Sequence, residues 1–409
     1  MTTALIAFSG GLDTSFLTQF AREAYNVSRV ITCTVNTGGF TLDEVERIAA
    51  RSTELGADEH IYRDGSRAFY DTIIKYLIYG NVSRDGYPLC VSSERLTIAI
   101  ECLAVCKEIG AELFIHGSTG AGNDQYRFDV AAQVLNQGAT QCRAPIREFG
   151  ITRTFATDYL KERSIPVPTR TSDYSYNPGL WGVSIGGKET LFSDGLLPED
   201  AWYSKPAASA VQKDIILTFD QGELASLALD DEETRDPVAI IQKLGELGSL
   251  FGIGRHYHIG TSIPGKKGRL AYESPAADII YEAHRTLEKV TLSQAQISGK
   301  KPLAETFGAM IHEAKMFDPY LDDIRAFLQS TQRRVTGSCT VRLIPHAIAS
   351  VRVKSPYDLL MAQGSTYGEI SHAYSGADAA GSALIHGYEQ RLYHSVDARH
   401  PVGEVADAA

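Results

Sequence analysis

Cysteine is sparse in this chain, and its placement excludes several classes of protein. The six cysteines among 409 residues, Cys33, Cys90, Cys102, Cys106, Cys142 and Cys339, form no disulfide framework and no heme-attachment pair. Cys102 and Cys106, four apart, fall on one face of a helix and read as small buried apolar groups in a reducing cytoplasm. Positive charge is also short. Lys and Arg number 39 against 50 Asp and Glu, a net charge of -11, which argues against a nucleic-acid partner because phosphate backbones demand clustered cations. Small anionic ligands stay open, since local fields and backbone amides hold them. No apolar run reaches the ~18 residues that a membrane helix needs. The start, "MTTALIAFSGG", has no basic segment and does not read as a signal peptide. Repeats, low-complexity tracts and a Gly-x-Ser-x-Gly elbow are all missing. His312-Glu313 lacks the second histidine of a zinc protease, and His256 and His258 have no third ligand nearby in sequence, so no protein-bound metal is expected.

What remains is an ordinary globular composition, 44% apolar and 22% charged, long enough for two or three domains. The first part alternates short apolar runs with amphipathic segments, the pattern of a parallel sheet flanked by helices. "ALIAF" (4–8) predicts a buried strand and 14–23 a helix. Residues 27–35 predict a second strand, 42–55 a helix and 60–62 a short strand. "VSSERLTIAIECLAVCKEIGA" predicts a helix capped by Ser92 or Ser93 and closed by Gly110, followed by a strand over 112–117. The texture changes near Pro168, which divides the chain into domains 1–168 and 169–409. "TSDYSYNPGLWGVSIGGKETL" reads as a binding loop. Hairpins are expected with turns at 220–222 and 264–265, helices over 276–290 and 302–333, two strands within 340–353, and a helix near 378–394 before a polar, disordered tail.

Two glycine-rich turns follow predicted strands, "FSGGLDTS" (8–15) and "HGSTGAGND" (116–124). In a parallel sheet both open onto the edge where ligands bind. Consecutive backbone N–H groups leading into a helix N-terminus form an anion site without a basic side chain. Gly10 and Gly11 let the backbone approach a phosphate, and Ser9, Thr14 and Ser15 add hydroxyls. A Walker A loop is excluded because no lysine follows, and "GSTGAG" lacks the ribose-binding arrangement of a dinucleotide site.

"SGGLDTS" (9–15) resembles the pyrophosphate loop of the ATP pyrophosphatases, which cleave ATP between its α and β phosphates. "HGSTGAGNDQYRFD" (116–129) is similar to the long signature of the argininosuccinate synthases. "YPLCVSSERL" (87–96), "YSYNPGLWGVSIGG" (174–187) and "GKKGRLAYESPAA" (265–277) match further segments of that family in order. The resemblance spans Ala7 to about Tyr393 and points to a divergent bacterial-type branch. It implies an α/β fold: an N-terminal parallel-sheet nucleotide-binding domain of the adenine nucleotide alpha hydrolase type, then an α+β synthetase and multimerisation domain ending in a C-terminal helix. It further implies a cytoplasmic homotetramer that ligates citrulline to aspartate through a citrullyl-adenylate, releasing AMP and pyrophosphate, with Mg²⁺ carried by the ATP.

By the same resemblance Ala7, Phe8, Ser9, Gly10, Gly11, Leu12, Asp13, Thr14 and Ser15 hold ATP, with Val35 near the adenine and Gly117 near the ribose or phosphates. Thr119, Asn123 and Asp124 correspond to the aspartate site. Tyr87, Ser92, Asn123, Arg127, Ser175, Ser184 and Tyr272 correspond to the citrulline site, Arg127 suiting a carboxylate. Asp13, Ser15, Asp124 and Arg127 are the candidate catalytic residues. Two positions depart from the family pattern. Gly260 stands where most members have a glutamate for the citrulline ammonium, and Ala121 where lysine is frequent. The expected acceptor is citrulline, with another acid or backbone carbonyls replacing the glutamate, and an N-acylated citrulline is the rival. Two further functions compete with this ligase: a tRNA-modifying adenylase of the same superfamily and a non-catalytic nucleotide-binding scaffold. The charge and cysteine pattern disfavour the first, and the intact polar motifs disfavour the second.

Overall fold

The computed structural model describes residues 2–136, 138–167, 174–362 and 367–400. β1 (Thr3–Ala7), β2 (Arg29–Asn36), β3 (Glu59–Asp64), β4 (Leu113–Ile115) and β5 (Gln141–Arg143) form a parallel sheet in the order β3-β2-β1-β4-β5. β1 buries side chains on both faces, as a covered parallel sheet requires. Ala4 and Ile6 pack with Phe16 and Leu17 of α1 (Leu12–Tyr25) and Leu160 of α5 (Arg153–Glu162). Leu5 and Ala7 pack on the opposite side with Ala99 and Cys102 of α3 (Cys90–Ile109) and Phe128 of α4 (Asp124–Leu135). α2 (Leu42–Glu54) follows β2. β1 lies between β2 and β4, so the strand order reverses at β1, and the carboxyl ends of β1 and β4 bound a crevice there.

Two antiparallel sheets follow. β6 (Ser175–Gly179), β7 (Gly182–Gly186), β11 (Arg255–Thr261) and β12 (Lys267–Glu273) pair in the order β11-β12-β7-β6. β8 (Lys213–Asp220), β9 (Glu223–Leu229), β10 (Glu232–Thr234), β13 (Gly337–Ile344) and β14 (Ala347–Lys354) pair as β10-β9-β8-β13-β14. Helices α6 (Pro237–Leu250), α7 (Pro275–Thr291), α8 (Gln294–His312) and α9 (Pro319–Thr331) accompany them. Their shared core includes Trp181, Phe219, Ile280, Leu287 and Phe307. By contacts, residues 1–357 form one compact unit and 358–409 a second. The second carries α10 (Gly376–His386) and α11 (Tyr388–Arg399), neither of which buries a residue.

Most sequence expectations hold, and the exceptions have local causes. The first four strands appear, as do the hairpin turns at Gln221-Gly222 and Gly265, all three with positive φ. Gly110 closes α3 in the left-handed region, φ 65°. Ser92 and Ser93 do not cap it: the helix begins at Cys90 after a left-handed Leu89, and the Ser93 hydroxyl donates back to the Leu89 carbonyl at 2.7 Å. Within the stretch read as a binding loop, residues 175–186 form the β6–β7 hairpin, anchored by fully buried Trp181, whose indole N–H donates to Pro88 O at 3.1 Å. The helix expected over 302–333 is two helices. Pro302 sits inside α8, and the break comes at left-handed Ala314 before Asp318 caps α9, with Pro319 in its first turn. Gly387 likewise divides the C-terminal helix. The boundary at Pro168 and the tail from Pro401 lie outside the described residues.

Candidate active site

β1 ends at Ala7, and Phe8 still pairs with the sheet through Phe8 N–H to Cys33 O at 2.8 Å. The chain then turns through Gly10, at φ 74°, into α1, whose N-cap Gly11 has no side-chain cap. The first intrahelical bond from this end runs from Ser15 N–H to Gly11 O at 2.9 Å, so the amides of Leu12, Asp13 and Thr14 have no helical partner. Their dipoles add at this end, which makes it an anion site. Ser9 Oγ and Thr14 Oγ1 lie 3.4 Å apart at its mouth, and buried Ser15 Oγ has no hydrogen-bond partner among the described residues. Burial raises the Asp13 carboxyl above the usual range, and Arg153 partly offsets this. Gly117, after β4, packs against this turn: a Cβ there would sit 3.5 Å from Asp13 Cβ. Residues 7–15 and Gly117 therefore converge. Val35 is buried at the carboxyl end of β2, with Gly65 backed onto its side chain.

From Gly117 the same loop runs into a cavity of about 290 Å³. Its wall includes Tyr87, Ser92, Thr119, Asn123, Asp124, Arg127 and Ser184, seven of the nine expected substrate residues. Tyr272 lies behind the wall. It pairs with Ser184 across β12–β7, its ring is edge-on to Tyr87 at 5.0 Å, and its hydroxyl donates to Gly86 O. Ser175 is exposed at the start of β6, opposite Gly186, and does not line the cavity. The wall also includes Gly260, the position singled out for its departure from the family pattern, and residues that sequence reasoning did not assign to substrate, Arg84, Asn177, His258 and His312 among them. His256, two residues from His258, leaves the cavity and bonds Asp278 at 2.7 Å, so the two histidines share no ligand.

The cavity's charges form one network. Asp124 Oδ1 accepts from Arg127 at 2.7 Å and its Oδ2 from Arg95 at 3.3 Å. Arg95 also reaches Glu94 Oε1 at 3.0 Å and Asn177 Oδ1 at 2.9 Å. Desolvation disfavours the Asp124 carboxylate, but the Arg95 and Arg127 charges outweigh it and keep the group below the usual carboxylate range. Glu94, 1% exposed, is pushed up to about 7 by burial, against the pull of Arg95 and a Thr37 hydroxyl. Arg127, 3% exposed, also donates to His312 O at 2.9 Å. The Asn123 amide faces His312 Nε2 at 3.4 Å and its Oδ1 accepts from Ile263 N–H at 2.8 Å. Burial, with Arg127 and Arg84 nearby, pushes His312 down to about 3, and His258 is likewise lowered by desolvation. Both imidazoles are neutral at pH 7. His116, Asp129 and Cys142 also cluster, yet Arg147 donates to Asp129 at 2.6 Å and supplies the carboxylate's counter-charge.

A glycine turn with open amides at the switch point of a parallel sheet, sharing one loop with a polar cavity of amino-acid size, fits the class of nucleotide-binding α/β proteins with an adjoining small-molecule site. Comparison with known proteins narrows the class. The model described as "Arginosuccinate synthase N-terminal HUP domain" matches residues 3–166, and "Arginosuccinate synthase C-terminal domain" matches 174–393. The argininosuccinate synthase of Methanocaldococcus jannaschii is 32% identical over 392 residues, 95% of this chain and 97% of the relative. That of Xanthomonas campestris pv. campestris is 34% identical over 407 residues, 96% and 98% of the two chains. The chain belongs to the argininosuccinate synthase family.

Proposed function

We propose that this chain is an ATP-dependent ligase that performs the argininosuccinate synthase reaction. The ureido oxygen of citrulline attacks the α-phosphate of ATP, pyrophosphate leaves, and the aspartate amine displaces AMP from the adenylate. A ureido carbon is a weak electrophile, and adenylation turns its oxygen into a leaving group. The protein's share is positioning and charge stabilisation. The open amides of 12–14 and the hydroxyls of Ser9, Thr14 and Ser15 take the phosphates. Asn123 and Thr119 donate to the aspartate carboxylates, Asp124 accepts from its amine, and Arg127 takes the acceptor's carboxylate. Asp13 and the loop hydroxyls are hard oxygen donors, which suits Mg²⁺ arriving with the nucleotide and withdrawing charge from the departing pyrophosphate. The observation that carries this reading is the single loop 116–124, one end packed on the phosphate turn and the other lining the cavity.

A cytoplasmic homotetramer is part of the same reading, supported by exposed Leu384, Ile385, Leu392 and Tyr393 on the two C-terminal helices. The deciding assay follows AMP and pyrophosphate from ATP with citrulline and aspartate supplied together or singly. Pyrophosphate release that depends on a ureido acceptor, and a condensed product only when aspartate is added, is the expected result. ATP turnover indifferent to both amino acids would refute it.

A further inference from the structure

The loop that joins the phosphate turn to the cavity, residues 116–123, belongs to no helix or strand. It holds three glycines, Gly117, Gly120 and Gly122, and ordering each backbone residue costs about 1–2 kcal/mol of conformational entropy. A chain this free keeps one path only if groups outside it fix that path.

The fixing groups start at Arg147, on the short helix Pro145–Glu148 that follows β5. Its Nη1 donates to Asp129 Oδ2 at 2.6 Å and to Gln125 Oε1 at 3.0 Å. From there two arms reach the loop. On the first, Asp129 Oδ1 lies 3.1 Å from Nε2 of His116, a buried ring stacked on Phe128 with centres 5.0 Å apart. Burial works against the Asp129 charge, yet His116 and Arg147 hold the group down to about 2. The carboxylate therefore accepts, Nε2 carries the proton, and Nδ1 is left to accept from Ser118 N–H at 3.4 Å. On the second arm, the Gln125 amide donates to the carbonyls of Gly120 at 2.8 Å and Gly122 at 3.1 Å. The Arg147 stem also backs onto Gly120, where a Cβ would lie 3.5 Å from its Cγ.

These bonds alternate along the chain with the positions assigned to ligands. Ser118, Gly120 and Gly122 are held by backbone atoms. Gly117 packs on the phosphate turn, and Thr119, Asn123 and Asp124 line the cavity. Arg147 and Gln125 do not line it, so each acts through the loop.

We infer that Arg147 is a positioning residue for the ligase reaction: through Gln125 it sets the aspartate-binding part of the loop, and through Asp129 and His116 the part that meets the nucleotide. The inference rests on the ligase reading above and adds to it residues that touch no substrate. A nucleophile misplaced by about 1 Å reacts on the order of a hundredfold more slowly, so the brace governs the reaction from outside the cavity.

The test is steady-state kinetics with ATP, citrulline and aspartate on wild type, Gln125→Met, Arg147→Ala, Arg147→Lys and the Gln125→Met, Arg147→Ala double variant, each verified as folded by circular dichroism. Gln125→Met removes the second arm at nearly constant volume. It should raise KM for aspartate about tenfold, the scale of one hydrogen bond, with KM for ATP within about twofold. Arg147→Ala should raise both KM values, and Arg147→Lys should recover part of the loss. The two losses on aspartate should fall short of adding in the double variant, because they share one arm. An equal rise for ATP and aspartate in Gln125→Met, or aspartate kinetics unchanged in both single variants, overturns the inference and leaves the ligase reading standing. A wild type whose pyrophosphate release ignores both amino acids overturns both. If Arg147→Ala does not fold, Gln125→Met keeps the Asp129 ion pair and decides by the same split.

Discussion

Asp124 holds two guanidinium groups, Arg127 at 2.7 Å and Arg95 at 3.3 Å, and its removal leaves both without their shared counter-charge. Asp124→Asn should lower kcat/KM for aspartate by about a hundredfold, the scale of one charge-assisted bond, with ATP binding little changed. Initial-rate assays with varied aspartate read this directly. Glu94 makes a separate prediction about stability. Its folded pKa is raised, to about 7 against a reference of 4.5, so the folded state binds the proton more tightly than the unfolded state does. The contribution of this group to stability is therefore fully present below pH 4.5 and is lost as pH rises to about 7, at up to about 1.4 kcal/mol per pH unit. Glu94→Gln should flatten the melting temperature across that window, as followed by circular dichroism at several pH values. An unchanged slope would show that Glu94 ionises freely in the fold.

At the scale of elements, the cavity depends on the β6–β7 hairpin holding its place against β12. Gly182 makes the turn into β7 at φ 142°, and a Cβ there would run into the Glu273 carbonyl and press on Cys90. Gly182→Ala should cost about 2–3 kcal/mol in urea unfolding, from backbone strain and displacement of Trp181. The same hairpin shows where pattern reading fails. "YSYNPGLWGVSIGG" is short and rich in Gly and Ser, so it carries no clear period-two signal, and only pairing with β12 makes it a strand. The parallel sheet was legible because β1 and β2 are buried apolar runs bounded by glycine turns, a signal contained within each segment. The break between α8 and α9 was not, because periodicity continues across it while the chain reverses at Ala314.

For the whole molecule, contacts separate residues 1–357 from 358–409, and the second unit exposes Leu384, Ile385 and Tyr393. A chain ending at Tyr357 should keep the melting transition of the larger unit within about 4 °C, the change ~1 kcal/mol produces, since it loses no core residue. If the proposed tetramer is held by these helices, its sedimentation should shift to a smaller species than that of the full chain. An oligomeric state unchanged by the truncation would remove the C-terminal helices from the proposed assembly. Cys102 and Cys106 are both buried and free, as their spacing on one helix face implied, so thiol reagents should modify neither in the folded enzyme.

Chemistry confined to neighbouring residues could be read straight from the chain. The glycine turn after β1, the polar motif at 116–129 and their family depend on local order, and the absence of excess cations followed from composition alone. The full lining of the cavity could not be read this way. Arg84, Asn177, His258 and His312 come from a loop, two strands of one sheet and the end of a helix, and nothing in their flanking residues relates them. Chain reversal at the β6–β7 and β11–β12 hairpins, with the close of α8, brings them to one cavity. Net charge spoke for the molecule as a whole, at -11; packing decided that Arg84, Arg127, Arg269 and a single acid, Asp124, line this one cavity.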